Sequence, residues 1–257
     1  MRYLVTGGRG FVGSYVVKEI LARQEEVIVL SNLSHPSELS DGLDYLYGDV
    51  RYEYDIDKAV QEVDCVIHLA AKINVDRSRE SARPFVDTNI IGTFNVLEAC
   101  RKYGKKLVYA STSEALGTMT EPYYELGMPE EHPYRPLNPY GATKAAADML
   151  VIGWILSYDL DATILRSFNI TGIGQSYDKE GAFLPKTIER IFNNENPVIF
   201  GSGEQTRDYI CASDVAKAYL LLANSNHKGD IFHVGTGVEW SITYVAQKLI
   251  EISGKNL

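Results

Sequence analysis

The sequence predicts an α/β protein built on a parallel, doubly wound sheet with helices on both faces. Over the first 170 residues, short β-branched or apolar runs alternate with longer amphipathic segments, which is the pattern of parallel strands connected by helices. A glycine-rich loop joins the first apolar run to the first amphipathic segment. Because ligands of such sheets bind beyond the carboxyl ends of the strands, we expect functional residues in the loops that follow the strands.

The predicted elements of the main domain follow this alternation. Strands are predicted over residues 2–6, 27–31, 43–47, 65–70, 107–110 and 162–166, from their β-branched and apolar content. Helices are predicted over residues 11–23, 57–62, 85–103 and 139–157, and Asn138 is the expected N-cap of the last one, ahead of Pro139. We therefore expect the main domain to cover residues 1–168.

The pattern changes after Asn169, where glycines become frequent. Helices are predicted over residues 184–193, 213–223 and 242–252, and strands over residues 198–200 and 231–234. We interpret residues 169–211 and 236–257 as a smaller C-terminal lobe that binds the substrate. Residues 212–235 are expected to return to the main domain.

Composition limits the class of protein. With 45% apolar and 23% charged residues among 257, the chain is long enough for a full core, and we expect a soluble, cytoplasmic protein. No stretch approaches the roughly 18 to 20 uninterrupted apolar residues that a membrane span requires. A net charge of −9 without a block of Lys or Arg argues against a nucleic-acid partner. The three cysteines form no CxxC pair and the five histidines are scattered, so no metal site is predicted.

The loop TGGRGFVGS, residues 6–14, carries the first functional signal. Its glycines permit a tight turn and let the backbone approach a pyrophosphate, which the N-terminus of the following helix attracts. This strand-loop-helix setting predicts a dinucleotide cofactor. The expected contacts in the loop are Gly7, Arg9, Gly10, Phe11, Val12 and Gly13.

The second strand lacks the acidic residue that usually binds the adenosine ribose, and ends instead in Ser31 and Asn32. Without that carboxylate a 2′-phosphate is not repelled, and Arg9 can pair with it. One interpretation is therefore a site that accepts NADP at least as well as NAD. In the other, Asn32 holds the ribose of NAD and Arg9 is a solvated loop residue.

Two further strand ends fall where such a sheet places its cofactor. Asp49 and Val50 follow the third strand and are expected to meet the adenine. Beyond the fourth strand, the segment HLAAK is expected to line the ribose and nicotinamide through Leu69, Ala70, Ala71 and Lys72.

Tyr140 and Lys144 are predicted to share one helix face, because they are four residues apart. A free tyrosine is a weak base at neutral pH, and a nearby cation lowers its pKa by favouring the phenolate. Such a pair can move a proton to or from a sugar hydroxyl while hydride passes between the adjacent carbon and a nicotinamide.

The motifs together identify a family. TGGRGFVGS, HLAAK, ASTSEALG, NPYGATKAAADML, RSFNITG and QTRDYICASDVA occur in the order and spacing of the extended short-chain dehydrogenase/reductases that act on nucleotide sugars. The chain resembles this family over essentially its whole length. The segment HLAAKINVDRS is most similar to dTDP-glucose 4,6-dehydratases. The Thr-Ser-Glu order of residues 112–114 resembles GDP-mannose 4,6-dehydratases and UDP-glucuronate decarboxylases.

The resemblance implies a Rossmann-type fold, a homodimer, and a tightly held NAD or NADP that is recycled while it oxidises the sugar at C4. It assigns Tyr140, Lys144 and Thr112 to that step. By the same resemblance Asn169 and Arg207 hold the substrate's phosphates, Lys72 also faces the substrate, and Asn89 supports the lysine from the central helix. Without the family match, Asn169 and Arg207 would be interpreted as a loop hydrogen bond and a surface ion pair.

The sequence departs from the family in two further places. Ser113 stands where dTDP-glucose dehydratases carry an aspartic acid, which leaves the acid for dehydration at C6 open. The chain also ends at Leu257, soon after the last predicted helix, where members of the family continue. We expect either an incomplete nucleotide lobe or a shortened member of the family.

The leading interpretation is a nucleotide-sugar 4,6-dehydratase in which Glu114 removes the C5 proton. Glu114 has the same strand parity as Thr112, so it points to the same side if the strand continues. A 4-epimerase remains an alternative, because it also oxidises C4 but needs no C5 base. A decarboxylase and a non-catalytic NAD(P)-binding module are less favoured.

Overall fold

The computed structural model describes residues 1–32, 43–119, 123, 127–176 and 182–257. The chain divides into two compact units. The larger unit comprises Met1–Ser167 and Ser213–Val234, and the smaller unit comprises Phe168–Ala212 and Gly235–Leu257.

The strands alternate with helices through most of the chain. The strands are β1 Arg2–Thr6, β2 Glu26–Ser31, β3 Asp44–Tyr47, β4 Cys65–His68, β5 Lys106–Thr112, β6 Ala162–Ser167, β7 Asn169–Thr171, β8 Thr206–Cys211, β9 Ile231–Val234 and β10 Glu239–Ser241. The helices are α1 Phe11–Ala22, α2 Glu53–Val60, α3 Val75–Glu80, α4 Arg83–Phe85, α5 Gly92–Tyr103, α6 Pro139–Tyr158, α7 Phe183–Phe192, α8 Ala212–Ala223 and α9 Ile242–Ser253. A π-helical segment, Val86–Ile91, precedes α5, and a 3₁₀ turn, Ser113–Ala115, follows β5.

Seven strands of the larger unit form one parallel sheet in the order β3-β2-β1-β4-β5-β6-β9. This confirms the predicted doubly wound α/β fold. The strand order reverses between β1 and β4, and such a switch point opens a crevice at the carboxyl ends of the strands. Near-continuous apolar runs such as Leu4 and Val5 of β1 are fully buried, as strands covered by helices on both faces require.

The smaller unit contains a three-stranded sheet in the order β10-β8-β7. The sequence did not predict these strands, two of which have only three residues. The strand predicted over residues 198–200 is wrong, because that segment has no regular structure and Phe200 is largely exposed.

Other boundaries differ where local hydrogen bonds override the apolar pattern. The predicted strand over residues 65–70 ends at His68, after which the Ala70 amide donates to Thr6 Oγ1 at 3.2 Å. The predicted helix over residues 85–103 includes the π-helical segment. Among the described residues, no helix is long and apolar enough to cross a membrane, and no group of three or more metal-ligating side chains comes together.

Candidate active site

The glycine loop forms a close turn between β1 and α1. Gly7 has a left-handed φ of 69°, and a Cβ on it would lie 2.9 Å from Ala70 Cα, so a side chain there would be strained. A Cβ on Gly13 would lie 2.2 Å from the Gly7 carbonyl oxygen. The first turn of α1 has neither a capping side chain nor an acidic residue, which leaves its N-terminus suited to an anion.

Asp49, beyond β3, is paired with two neighbours. Arg51 donates to its two carboxylate oxygens at 3.0 and 2.7 Å, and Asn32 donates to Oδ2 at 3.0 Å. Burial acts to raise the pKa of Asp49, but these bonds outweigh it and hold the pKa at about 2. Nearby, the guanidinium carbon of Arg9 lies 5.0 Å from the centroid of the Tyr45 ring. The sequence placed Asn32 and Asp49 at this edge and missed Arg51.

The loop after β4 is tied to the helical layer by buried side chains. His68 contacts Thr6 Oγ1 at 2.7 Å and Thr93 Oγ1 at 3.1 Å, and burial lowers its pKa to about 3. The Asn89 side chain accepts from the Lys72 amide at 2.8 Å and donates to the Lys72 carbonyl at 2.9 Å. It also donates to Thr143 Oγ1 at 2.9 Å. Asn89 therefore supports the helix beside Lys144 through Thr143.

The remaining predicted cofactor residues lie at the same edge of the sheet or next to it. Ser31 and Val50 are buried, whereas Phe11, Val12, Leu69, Ala70 and Ala71 are partly exposed. The Val50 carbonyl accepts a hydrogen bond from Asn95 Nδ2 at 2.9 Å. The backbone of this region is therefore held in place while several side chains remain accessible.

Tyr140 and Lys144 both lie on the buried face of α6. Burial lowers the pKa of Lys144 to about 8, and the charge of Asp148 opposes that change. The ammonium donates to the Ala110 carbonyl and lies 4.4 Å from the centroid of the Tyr109 ring. This helix face brings the lysine to the carboxyl end of β5.

The pKa of Tyr140 is raised in this structure, not lowered as the sequence predicted. Burial raises the pKa of Tyr140, a hydrogen bond with Thr112 lowers it, and the charge of Glu114 raises it further. The phenol therefore keeps its proton at neutral pH, and it is already linked to the Thr112 hydroxyl.

Glu114 does not continue the strand, so the parity argument for its direction is wrong. The backbone turns after Thr112, whose Oγ1 accepts a hydrogen bond from the Glu114 amide at 3.3 Å and caps the 3₁₀ turn. Glu114 is nevertheless close enough to Tyr140 for its charge to raise the tyrosine's pKa. Thr112, Glu114 and Tyr140 are thus brought together by the turn and by the start of α6.

Asn138 connects that turn to α6. Its Oδ1 accepts from the Gly141 amide at 2.8 Å, as expected for the N-cap, and its Nδ2 donates to Glu114 Oε2 at 2.9 Å. The sequence predicted the cap but not the bond to Glu114. Ser113, between Thr112 and Glu114, is partly exposed.

In the smaller unit, Asn169 and Arg207 lie on one face of the sheet. Asn169 is paired with Tyr209, and Arg207 is two residues earlier on the same strand. Asn169 Nδ2 donates to the Asp208 carbonyl at 3.2 Å, and the exposed Arg207 donates to the Thr206 carbonyl at 2.8 Å.

Residues 3–235 match the model of the NAD dependent epimerase/dehydratase family. The chain belongs to this family. The curated relatives include a putative UDP-glucose 4-epimerase of Methanocaldococcus jannaschii, 37% identical over 93% of this chain and 78% of that protein. A dTDP-glucose 4,6-dehydratase of Mycobacterium tuberculosis is 33% identical over 100% of this chain and 78% of that protein.

A solved structure extends the likeness to the fold. The UDP-glucose 4-epimerase of Thermus thermophilus in complex with NAD is similar with a TM-score of 0.89 and 34% identity, covering 100% of this chain and 84% of that one. The resemblance to nucleotide-sugar epimerases and dehydratases is confirmed, and the relatives are named for two different reactions.

The site fits the nicotinamide dinucleotide of an NAD-dependent epimerase/dehydratase. The uncapped start of α1 and the close turn at Gly7 leave room for a pyrophosphate, and the switch point of the sheet is adjacent. The sequence missed Arg51, the bond between Asn138 and Glu114, and a buried pair formed by Asp148 and Arg166. The spacing of Tyr140, Lys144 and Asp148 at four-residue intervals is a signal that could have placed Asp148 on the same helix face as the other two.

Proposed function

We propose that this member of the family is a nucleotide-sugar 4,6-dehydratase. The observation that supports it is the meeting of Thr112, Glu114 and Tyr140, in which the tyrosine hydrogen-bonds to the threonine beside a carboxylate. When bound, the nicotinamide would accept a hydride from C4 of the sugar and return it to C6 after water has left, while a proton is returned to C5. The residues that we assign to hold the cofactor are the glycine loop, Ser31, Asn32, Asp49, Val50, residues 69–72, Asn89, Tyr140 and Lys144.

The protein residues divide the proton transfers between them. Tyr140 takes the proton of the C4 hydroxyl in its phenolate form, which is the minor form at neutral pH, while Thr112 hydrogen-bonds to the phenol oxygen. We assign the ammonium of Lys144, one turn away on the same buried face of α6, to stabilise that phenolate. Glu114 removes the C5 proton, which becomes acidic once C4 is a ketone. We assign Ser113, the partly exposed hydroxyl next to Glu114, to hydrogen-bond the C6 oxygen, which leaves as water when it takes up the proton that Glu114 removed from C5.

Substrate recognition is the role we propose for the smaller unit. Asn169 and Arg207 share one face of its sheet, and an exposed guanidinium suits the diphosphate of a nucleotide sugar. Lys72, which is exposed beyond β4, is assigned to the sugar.

A 4-epimerase is the second candidate. The relative from Methanocaldococcus jannaschii carries that name, and the bond from Asn138 gives Glu114 a structural task that needs no C5 base. An epimerase would return hydride to the opposite face of C4 and lose no water.

The two functions predict products of different mass. We would incubate the protein with dTDP-glucose, UDP-glucose and GDP-mannose and analyse the products by mass spectrometry. A product lighter by one water supports the dehydratase, and an isomer of unchanged mass supports the epimerase. Glu114→Gln keeps the size of the side chain, and in a dehydratase it should stop water loss while bound NAD is still reduced. Glu80→Gln, an exposed glutamate of the same unit, is the matched control.

We also propose that the protein works as a cytoplasmic homodimer. Cys65 and Cys100 are buried free thiols, which fits a reducing compartment. Burial raises the pKa of both thiols, so they stay protonated. The surface that supports a dimer lies on α5 and α6.

A further inference from the structure

A buried ion pair lies beneath the helix face that carries Tyr140 and Lys144. Arg166 of β6 is the largest fully buried side chain among the described residues and is 1% exposed. Its Nε lies 3.0 Å from Oδ2 of Asp148 on α6, which is completely buried. Charges in a core lose their hydration, so they persist only with close and complementary partners.

The guanidinium of Arg166 is held on several sides. It donates to the Glu130 carbonyl at 2.8 Å and to the Tyr134 hydroxyl, and it lies 3.5 Å from His233 Nε2. Tyr134 in turn donates to Asp148 Oδ2 at 3.2 Å. These contacts fix the geometry of the pair and leave Arg166 little freedom to move away from the carboxylate.

The pair is electrically neutral only while Asp148 is ionised, because a guanidinium keeps its proton at every working pH. The pKa of Asp148 is raised overall by burial, and the charge of Arg166 is the largest of the influences that oppose this rise. The Ser111 hydroxyl and the Lys144 ammonium lower it as well.

Asp148 lies one helical turn beyond Lys144 on the same face of α6. Lys144 is 4% exposed, and its burial brings its pKa down to about 8, close to physiological pH. The charge of Asp148 acts in the opposite direction and raises that pKa. Loss of this carboxylate would therefore shift the lysine towards its neutral form.

The other titratable groups facing Lys144 do not supply this charge. Burial lowers the pKa of His68 to about 3 and raises that of Tyr109 and Tyr140, so all three are neutral between pH 6 and 9. Glu114, in the 3₁₀ turn after β5, acts on Tyr140 at the start of α6. Within the part of the chain that the structure describes, Asp148 is the carboxylate whose charge acts on the lysine.

We propose that Asp148, held in place by Arg166, is a positioning residue that keeps Lys144 in its ammonium form and so acts on Tyr140 through the lysine. The link to turnover rests on the proposed function, whereas the effect on the lysine does not. A purely structural pair, joining α6 to β6, would affect the stability of the fold but not the protonation of Lys144.

The test is a direct titration of Lys144 by NMR in the full chain saturated with NAD and labelled with ¹³C at lysine Cε. Lys144→Arg removes the resonance and so assigns it. We expect Asp148→Asn to lower the titration midpoint by roughly one pH unit, the size typical of losing a nearby opposite charge. Asp148→Glu, which retains the charge, should restore most of the shift. An unchanged midpoint in Asp148→Asn overturns the proposal.

The matched control is Asp159→Asn at the C-terminal end of the same helix. It removes one negative charge from an exposed position, and asparagine tolerates the left-handed conformation found there. The midpoint of Lys144 should not move in this variant. An equal shift in both variants would show a general effect of net charge and would overturn the assignment to Asp148.

Arg166→Gln keeps the idea testable if Asp148→Asn does not fold. An unpaired carboxyl can take up a proton in the core, whereas an unpaired guanidinium cannot lose one. Asp148 should then become neutral, and the midpoint of Lys144 should fall as it does in Asp148→Asn. No fall in this variant contradicts the proposal.

Turnover separates this proposal from the proposed function. The alkaline limb of the pH profile of kcat/KM should move down together with the lysine midpoint in Asp148→Asn. If the titration midpoint of Lys144 moves in Asp148→Asn but the alkaline limb of the kcat/KM profile does not, the action of Asp148 on Tyr140 through Lys144 is overturned. The proposed function is not affected by that result, because the product formed by the wild type still identifies the reaction.

Discussion

The two units of the chain hold their candidate functional residues in different ways. In the larger unit, Lys144 and Asn89 are buried and hydrogen-bonded to neighbouring elements. In the smaller unit, Asn169 and Arg207 bond to backbone within their own sheet, and Arg207 is exposed. The residues that we assign to chemistry are thus fixed by neighbouring elements before any ligand arrives, whereas the guanidinium that we assign to recognition is exposed.

The largest effect is expected at Tyr140, in the preorganised unit. Tyr140→Phe keeps the ring and its packing but removes the oxygen that hydrogen-bonds to Thr112. Turnover should fall by roughly 10²- to 10⁴-fold, the range typical of a lost acid–base group, with the thermal unfolding temperature little changed. Steady-state kinetics on the identified substrate measures it, with Tyr54→Phe, an exposed tyrosine, as the control. Retention of most activity would remove Tyr140 from the mechanism.

A substitution of Arg207 tests the role that we assign to the smaller unit. Arg207→Ala removes an exposed guanidinium that donates a hydrogen bond to the adjacent Thr206 carbonyl, so the fold should tolerate it. If it binds the diphosphate, KM should rise about 10- to 100-fold, as expected for one charged hydrogen bond, with kcat changed much less. Arg190→Ala, in α7 of the same unit, should leave KM near the wild-type value. A fall confined to kcat would place Arg207 in the chemistry instead.

The sequence predicted the larger unit better than the smaller one for physical reasons. The strands of the parallel sheet appear in the sequence as apolar runs at regular intervals. The shared helix face of Tyr140 and Lys144 follows from their four-residue spacing. The three-residue strands β7 and β10 contain too few residues to show a period. The predicted direction of the Glu114 side chain was wrong because the backbone turns at the end of β5. That turn depends on the Thr112 cap, which strand parity does not take into account.

Contacts between distant segments were the other part that local patterns could not predict. The pairing of Arg166 with Asp148 joins β6 to α6, and the bond from Asn138 to Glu114 joins the start of α6 to the turn after β5. Each residue taken alone resembles an ordinary strand or cap residue. Their partners become visible only when the elements are packed.

The choice between NAD and NADP is a prediction that concerns the larger unit alone. Ser31 stands where an acid is usual, and Arg9 lies over Tyr45 at the same edge of the sheet. We expect NADP to bind at least as tightly as NAD, although the Thermus thermophilus relative was solved with NAD. Ser31→Asp should weaken NADP by about 10-fold or more through charge repulsion while leaving NAD binding largely intact. Calorimetric titration of both cofactors decides it, and much tighter binding of NAD to the wild type would contradict the prediction.

Loss of the proposed dimer is the change from which we expect the smallest effect on turnover. Helix α6 buries Ala147 and Val151 on one side, while Met149 and Leu156 are exposed on another, Leu156 by 80%. On α5 and the segment before it, Phe94 and Ile91 are also exposed. Packing on the sheet therefore covers only one side of these helices. We propose that a second copy of the chain covers the other side in a dimer with two-fold symmetry.

Leu156→Glu tests this surface because it places a charge where two apolar helices would meet. Light scattering should show a dimer for the wild type at micromolar concentration and a monomer for the variant, with turnover changed by less than about threefold because Leu156 lies near the end of α6 farthest from Tyr140. Leu221→Glu changes an exposed leucine of α8 in the same unit and should remain dimeric. A monomeric wild type would leave the larger unit with preorganised chemistry but no role in assembly, since the apolar side of α5 and α6 would then face solvent.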